Sequence, residues 1–316
     1  MARGGKGSYR EITPEKNSGS GMSVPGVIRR IFDREFRAEF LSTLILVLLG
    51  NGSVAQYKFL NKGTSAGGPP EPFLSINFGY ACAVMFGAYL AAGVSGAHMN
   101  PAVSIALAVI KKFKWSKVPK YIVAQMLGGF FGALLVFIVY IDRLMESGSL
   151  LDEESYSGIF STYPNGDTST GGQLLDQVVG TFLLMLIVCA LIDKNNSAPP
   201  PGVTPILVGG AVLSIGLSFG TNCGYAINPA RDFPPRLATA ILGYDEVFVR
   251  GDYYFWIPIV GPIIGAVLGA VTYTIFIEET STKLLCFGSD KAEPTDIVTS
   301  NGASDHEEVE MAKTVA

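Results

Sequence analysis

Val94-Ser95-Gly96-Ala97-His98-Met99-Asn100-Pro101-Ala102 and Cys223-Gly224-Tyr225-Ala226-Ile227-Asn228-Pro229-Ala230-Arg231 decide the fold. Each ends an uncharged run too long for its purpose: 39 residues separate Glu71 from Lys111, and 36 separate Lys194 from Arg231. A bilayer crossing takes about 20 mainly apolar residues, so each run holds one span and a surplus. Asn is a preferred N-cap and Pro is favoured at the first helical position, so each Asn-Pro opens a helix inside the run. A helix of about ten residues cannot cross, and the chain must enter the membrane, break and turn back. Irregular backbone at that depth is tolerated only against protein or a water-filled cavity. One Asn-Pro would be a weak signal, since it opens ordinary turns; two at equivalent places form an internal repeat.

Working outward, four further uncharged runs fit one span each: Glu39 to Lys58, Lys120 to Asp142, Asp176 to Asp193 and Asp252 to Glu278. Six spans result, and each half reads span, span, Asn-Pro-Ala, span. Three is odd, so the second copy is inverted relative to the first, the layout of transporters and channels with a central site. The expected architecture is an all-α membrane protein of six transmembrane helices plus two re-entrant half-helices. Residues 1–37 form an N-terminal tail and 38–278 the membrane-embedded unit, with repeats over about 38–141 and 173–278; residues 279–316 form a C-terminal tail. Gly128 and Gly132 in the third span match Gly261, Gly265 and Gly269 in the sixth, a small-xxx-small spacing that lets helices approach closely. Basic residues in the N-terminal tail and at Lys111 to Lys120, against the acidic loop from Asp142 to Gly172, place both termini in the cytoplasm by the positive-inside rule. Asn51-Gly52-Ser53 then lies within a span and Asn195-Asn196-Ser197 in a cytoplasmic loop, so neither sequon is expected to carry glycan.

Composition agrees. Of 316 residues 48% are hydrophobic and only 16% charged, against about a quarter charged in soluble domains, and the mean hydropathy is +0.36. The net charge of -4 arises largely in the C-terminal tail (Asp305, Glu307, Glu308, Glu310) and offers nothing to nucleic acid. Cys82, Cys189, Cys223 and Cys286 have no paired spacing that suggests a disulfide framework or a zinc site. With two histidines, His98 and His306, and no pair of titratable groups at one site, neither catalysis nor a metal or other cofactor is expected.

Two inverted half-helices would meet N-terminus to N-terminus, each end carrying about half a positive charge, so the centre repels cations. If each Asn oxygen accepts from its own helix, its amide remains a donor to the lumen. On these residues the chain resembles the major intrinsic protein family, the aquaporins, across roughly residues 38–278. The handle on selectivity is Asn228-Pro229-Ala230-Arg231-Asp232, which, with Val94 to His98 and Asp232 to Leu237, resembles the glycerol-conducting branch, the aquaglyceroporins. The resemblance implies a passive channel for glycerol, water, urea and other small neutral solutes, in a homotetramer within the lipid bilayer, with the plasma membrane as default address. A strictly water-selective channel and a coupled transporter stand as alternatives.

The resemblance also implies site residues. The outer constriction falls on Tyr80, Gly216, Tyr225 and Arg231, with Phe78 as an alternative to Tyr80 under a shift of register. Glycine at 216 makes room into which the Tyr225 ring can move; Tyr80 and Tyr225 form an apolar corner opposite Arg231. Carbonyls of Gly96, Ala97, His98, Gly224 and Ala226 line the lumen. Glu39 matches a buried Glu that in the family anchors the N–H groups of the opposite loop, with Gln177 as its counterpart. Asp232 is expected to pair locally with Arg236, the His98 ring to brace its loop, and Cys223 to be an inert small residue or a target for mercurials.

Overall fold

The computed structural model describes residues 32–60, 72–145, 153–200 and 202–278. The tails up to residue 31 and from residue 279 lie outside the described residues, as do Glu146 and Asp152 of the acidic loop, Cys286 and His306. Among the described residues every regular element is helical. In chain order they are α1 (Arg34–Leu60), α2 (Pro72–Ser95), α3 (Pro101–Val109), α4 (Val118–Val139), the small α5 (Ile141–Met145) and α6 (Glu153–Phe160), α7 (Thr170–Ile192), α8 (Thr204–Cys223), α9 (Pro229–Ile241), the turn-like α10 (Arg250–Tyr253) and α11 (Ile257–Phe276). Six are long and apolar enough to cross a membrane; α3 and α9, of 9 and 13 residues, are not.

Local chemistry moves two boundaries. Asp33 Oδ1 accepts the Phe36 N–H at 2.9 Å, an N-cap that starts α1 at Arg34, four positions ahead of residue 38. Ser169 Oγ accepts the Gly172 N–H at 3.2 Å and starts α7 at Thr170, ahead of 173.

Burial runs against the soluble pattern. Large apolar side chains such as Leu41, Phe86 and Ile138 are exposed, whereas Glu39, Asn51, Gln125, Gln177, Asp232 and Arg236 are fully buried. Such an arrangement suits a lipid surround, in which buried polar groups must find partners inside the protein. Helix α1 lies along α4, and α7 along α11, so the two halves are built alike. Their glycines explain how. A Cβ on Gly128 would fall 2.4 Å from the Phe40 oxygen and one on Gly132 2.8 Å from that of Leu44; on Gly265 and Gly269 it would fall 2.2 and 2.4 Å from the Val178 and Phe182 oxygens. Each helix pair therefore meets backbone to backbone, and tight van der Waals packing supplies the association that apolar burial cannot provide in lipid.

Because the obstacle is a carbonyl oxygen rather than a side chain, Gly128→Val and Gly265→Val should each destabilise the fold, at or above the roughly 1–3 kcal/mol typical of overpacking. Gly171→Ala, with open space around it, should be neutral or slightly stabilising. Thermal unfolding in detergent is the check; equal midpoints for all three variants would contradict this account of the packing.

Candidate functional site

Each half-helix begins at its Asn. Asn100 and Asn228 hold extended backbone, φ -154° and -155°, and their Oδ1 atoms accept the N–H of Ala102 at 3.0 Å and Ala230 at 2.9 Å. The sequence leaves the whole side-chain amide to the lumen, but in the structure one hydrogen is already used. Asn100 Nδ2 donates to the Ile227 oxygen at 2.9 Å, and Asn228 Nδ2 donates to the Met99 oxygen at 2.8 Å. The exchange is reciprocal and clasps the two helix ends together. One hydrogen per Asn remains, since the amide carries two donors.

The loops leading to the two Asn residues share one unusual backbone. Ala97 and Met99 have φ of 50°, and Tyr225 and Ile227 have φ of 39° and 42°; these are the positions three and one before each Asn. Left-handed backbone costs a side-chain-bearing residue about 1–2 kcal/mol, and it is least expected of β-branched Ile227. Such strain persists only where surrounding bonds fix it. Here Glu39 fixes the first loop: Oε1 accepts from Ser95 Oγ (2.6 Å) and the His98 N–H (2.9 Å), Oε2 from the Met99 N–H (2.8 Å) and Gln125 Nε2 (2.8 Å). In the second loop Gln177 Oε1 accepts the Ile227 N–H at 3.0 Å. The expectation that Glu39 reaches the opposite loop is corrected, because α1 and the loop after α2 belong to the same half; the cross-links come from the Asn amides. Gln177 has a neighbour that the sequence did not single out: its Nε2 donates to Asp176 Oδ2 at 3.1 Å, and Asp176 Oδ1 accepts Asn222 Nδ2 at 3.1 Å.

Between the halves runs a cavity of about 330 Å³, with Tyr80, Tyr225 and Arg231 among its lining residues, Asn100 and Asn228 beside them, and Lys112, Ile192 and Thr204 also in its wall. Leu46, Val84, Leu184 and Val212 supply an apolar wall, while Gly96, Ala97, His98 and Ala226 bring the loops to it. Of the two aromatic candidates, Tyr80 lines the cavity, while Phe78 is 52% exposed. The two tyrosine rings stand edge to face, 6.3 Å apart. Arg231 is not opposite this corner but on it, its guanidinium 4.8 Å from the Tyr80 ring centre, an arrangement favoured by the ring quadrupole. Gly216 does not line the cavity; a Cβ there would fall 2.6 Å from both Tyr225 Cζ and Asn77 Oδ1, so the space it leaves is filled by the tip of the Tyr225 ring. Gly224 is also absent from the wall. It closes α8 in the left-handed conformation, φ 73°, with its N–H on the Gly220 oxygen, and its place is set by helix termination. Lys112, the second cation of the wall, is ion-paired with Glu278.

Arg231 is held from behind by groups remote in sequence. Its Nη1 donates to the Phe160 oxygen at 3.3 Å. The end of α6, which carries this carbonyl, runs into a segment pinned by Asp232, whose Oδ2 accepts the Thr162 N–H (2.7 Å) and Oγ1 (2.6 Å). Asp232 Oδ1 pairs with Arg236 at 2.9 Å, and Arg236 donates onward to the oxygens of Val247 and Thr162, both at 2.6 Å. The residue after Arg231 therefore works through loop anchoring and not by facing solute. Phe160, Thr162 and Asn51 were not anticipated as part of this site; the available signal was an Asn and an Arg inside apolar runs. The His98 ring bonds Ser104 Oγ at 2.9 Å and packs on Phe113 and Tyr121. Cys223 is fully buried beside Tyr254 and Ile257 and is not among the residues lining the cavity, the setting of an inert small residue.

Six crossings, two clasped half-helices and a cavity between inverted halves define an integral, multi-pass membrane protein of the conduit type. The chain belongs to the major intrinsic protein family, whose sequence profile, described as "Major intrinsic protein", matches residues 28–273. It is 44% identical over 257 residues to Aquaporin-9 of Homo sapiens, covering 80% of this chain and 85% of that protein. It is 39% identical to Aquaglyceroporin-3 of Trypanosoma brucei brucei, covering 78% and 80%. The crystal structure of the aquaglyceroporin from Plasmodium falciparum superposes with a TM-score of 0.68 at 31% identity, covering 79% of this chain and 98% of that one.

Because Glu39 accepts four hydrogen bonds and Gln177 one, the two anchors are not interchangeable. Glu39→Gln turns one acceptor into a donor facing other donors and should destabilise by about 2–3 kcal/mol. Gln177→Glu should also destabilise, by placing a second carboxylate against Asp176 in a low-dielectric setting. Both are read from thermal unfolding in detergent; wild-type midpoints would contradict the anchoring roles.

Proposed function

We propose that this protein is a passive channel for glycerol, urea and other small neutral solutes as well as water, with Tyr80, Tyr225 and Arg231 as its narrow filter and Asn100 and Asn228 as its central donors. The observation that carries this reading is the amphipathic filter: an Arg guanidinium lying against an aromatic corner, the Tyr225 ring occupying the room left by Gly216. A polyol has hydroxyls along one edge and CH groups along the other. Its CH edge fits the rings and its hydroxyl oxygens accept from Arg231, whose guanidinium has five donors and no acceptor, one of them used by the Phe160 oxygen.

At the centre a water or hydroxyl oxygen accepts from the free hydrogen of each Asn. A water held this way directs both its own hydrogens away from the centre, towards the two exits, so the donor–acceptor order of a proton wire reverses there. The positive ends of α3 and α9 add a barrier to cations. Ion-coupled transport would need carboxylates on the route; Glu39, Asp176 and Asp232 are instead bonded within the wall. A channel of this kind needs no catalytic group. Family resemblance supports a homotetramer with one pore per subunit, and the charge pattern supports cytoplasmic termini; plasma membrane is the working address.

Purified protein in liposomes should raise glycerol and water permeability well above protein-free vesicles, with no accumulation against a gradient. Gly216→His with Tyr225→Cys should lower glycerol flux about tenfold relative to water, the equivalent of about 1.4 kcal/mol in the barrier. High water permeability with glycerol at the vesicle background would overturn the polyol reading, and equal loss of both fluxes would remove these residues from selection.

A further inference from the structure

A polar side chain within a bilayer span is costly and normally has a role. Asn51, in the body of α1, is fully buried, and it does not line the cavity. Its amide is nevertheless bonded at both ends: Oδ1 accepts the Tyr80 hydroxyl at 2.5 Å, and Nδ2 donates to the Phe160 oxygen at 3.1 Å. The same Phe160 oxygen accepts Arg231 Nη1 at 3.3 Å, and the Arg231 guanidinium covers the Tyr80 ring at 4.8 Å. Tyr80, Asn51, the Phe160 carbonyl and Arg231 thus close a ring of four contacts, with two members in the lumen wall and two behind it. The residue before Asn51 makes the geometry possible, since a Cβ on Gly50 would fall 2.3 Å from Tyr80 Cε1. Without it the ring lies against α1 and delivers its hydroxyl to Asn51.

A phenol has one proton to donate, and here it is directed into the wall. We propose that Asn51 is a positioning residue of the filter: it withdraws the Tyr80 hydroxyl from the lumen, so that a tyrosine offers solutes only its apolar ring. This rests on the reading of Tyr80 and Arg231 as filter residues. Remove the acceptor, and the hydroxyl finds partners only among molecules in the lumen. The ring then tilts inward, obstructing a three-carbon polyol more than a water.

The test uses four full-length proteins in liposomes: wild type, Asn51→Leu, Tyr80→Phe and the double variant. Leu keeps the branched shape and heavy-atom count of the Asn side chain but neither accepts nor donates. The glycerol-to-water permeability ratio is independent of the amount of protein inserted. Asn51→Leu should lower it about fivefold, the size of one net hydrogen bond. Tyr80→Phe sets its own reference ratio, and because it has no hydroxyl to withdraw, adding Asn51→Leu to it should leave that reference ratio unchanged. An unchanged ratio in Asn51→Leu overturns the proposal, as does a double variant whose ratio falls as far below that of Tyr80→Phe as Asn51→Leu falls below wild type. Should Asn51→Leu not fold, a double variant that folds and keeps the Tyr80→Phe ratio supports the proposal, and one that falls below that ratio overturns it. Glycerol flux in the wild type separately tests what is conducted. Thermal midpoints of the same four proteins should show Asn51→Leu costing less in the Tyr80→Phe background, whatever the solute; additive costs would count against the coupling.

Discussion

The structure depends on a pair of hydrogen bonds at its centre, Asn100 Nδ2 to the Ile227 carbonyl and Asn228 Nδ2 to the Met99 carbonyl. Two helix N-termini with like partial charges repel, and broken backbone inside a membrane must satisfy its polar groups within the protein. Reciprocal exchange answers both demands. Each Asn caps its own helix with its oxygen and holds the other loop with its nitrogen. What surrounds the clasp serves to present it: left-handed residues that turn the loops, Glu39 and Gln177 that fix those residues, and glycines that let α1 and α4, α7 and α11 close around them.

Charge is distributed to the same end. Buried ionic groups are abundant for a membrane protein, but most are committed to the frame. Glu39 serves the first loop, Asp176 stands behind Gln177, and Asp232 with Arg236 fixes the segment that follows the Phe160 carbonyl. Lys112 in the cavity wall is matched by Glu278. Arg231 is left as the cation in that wall without a carboxylate partner among the described residues, and its charge is tempered by a carbonyl and an aromatic face. An unmatched buried carboxylate would attract cations; a neutral conduit results when the buried carboxylates are all engaged within the wall.

The architecture was legible in the sequence because its signals are coarse and redundant: run lengths set by bilayer thickness, a repeated Asn-Pro-Ala, and glycines at matching offsets. Tyr225, Arg231 and the two Asn residues were legible because their place is fixed by distance along the chain from those motifs. The other half of the clasp was not, because Met99 and Ile227 take part through backbone oxygens, for which side-chain identity is silent. Asn51 and Phe160 were missed for a related reason. They meet Tyr80 and Arg231 across 29 and 71 positions, and no local pattern encodes such a meeting. The room that Gly216 makes for the Tyr225 ring was legible from its distance to the motif, and the ring stands there; Gly224, a lumen position by the same measure, instead ends a helix. The direction in which Glu39 acts was misjudged because chain order does not reveal which loop folds back on α1.

The clasp also sets an order of events in synthesis. Asn100 and the carbonyl that completes its bonding are 127 positions apart, so the first half is synthesised before its counterpart has been translated. Until then α3 has a capped end without its cross-link, in surroundings where an unused donor is expensive. The first half is thus an unfinished structure by construction, and the arrival of Ile227 and Asn228 is the step that seals it. A chain truncated before that point lacks α9 and the last span; it also lacks the partner that its completed portion requires.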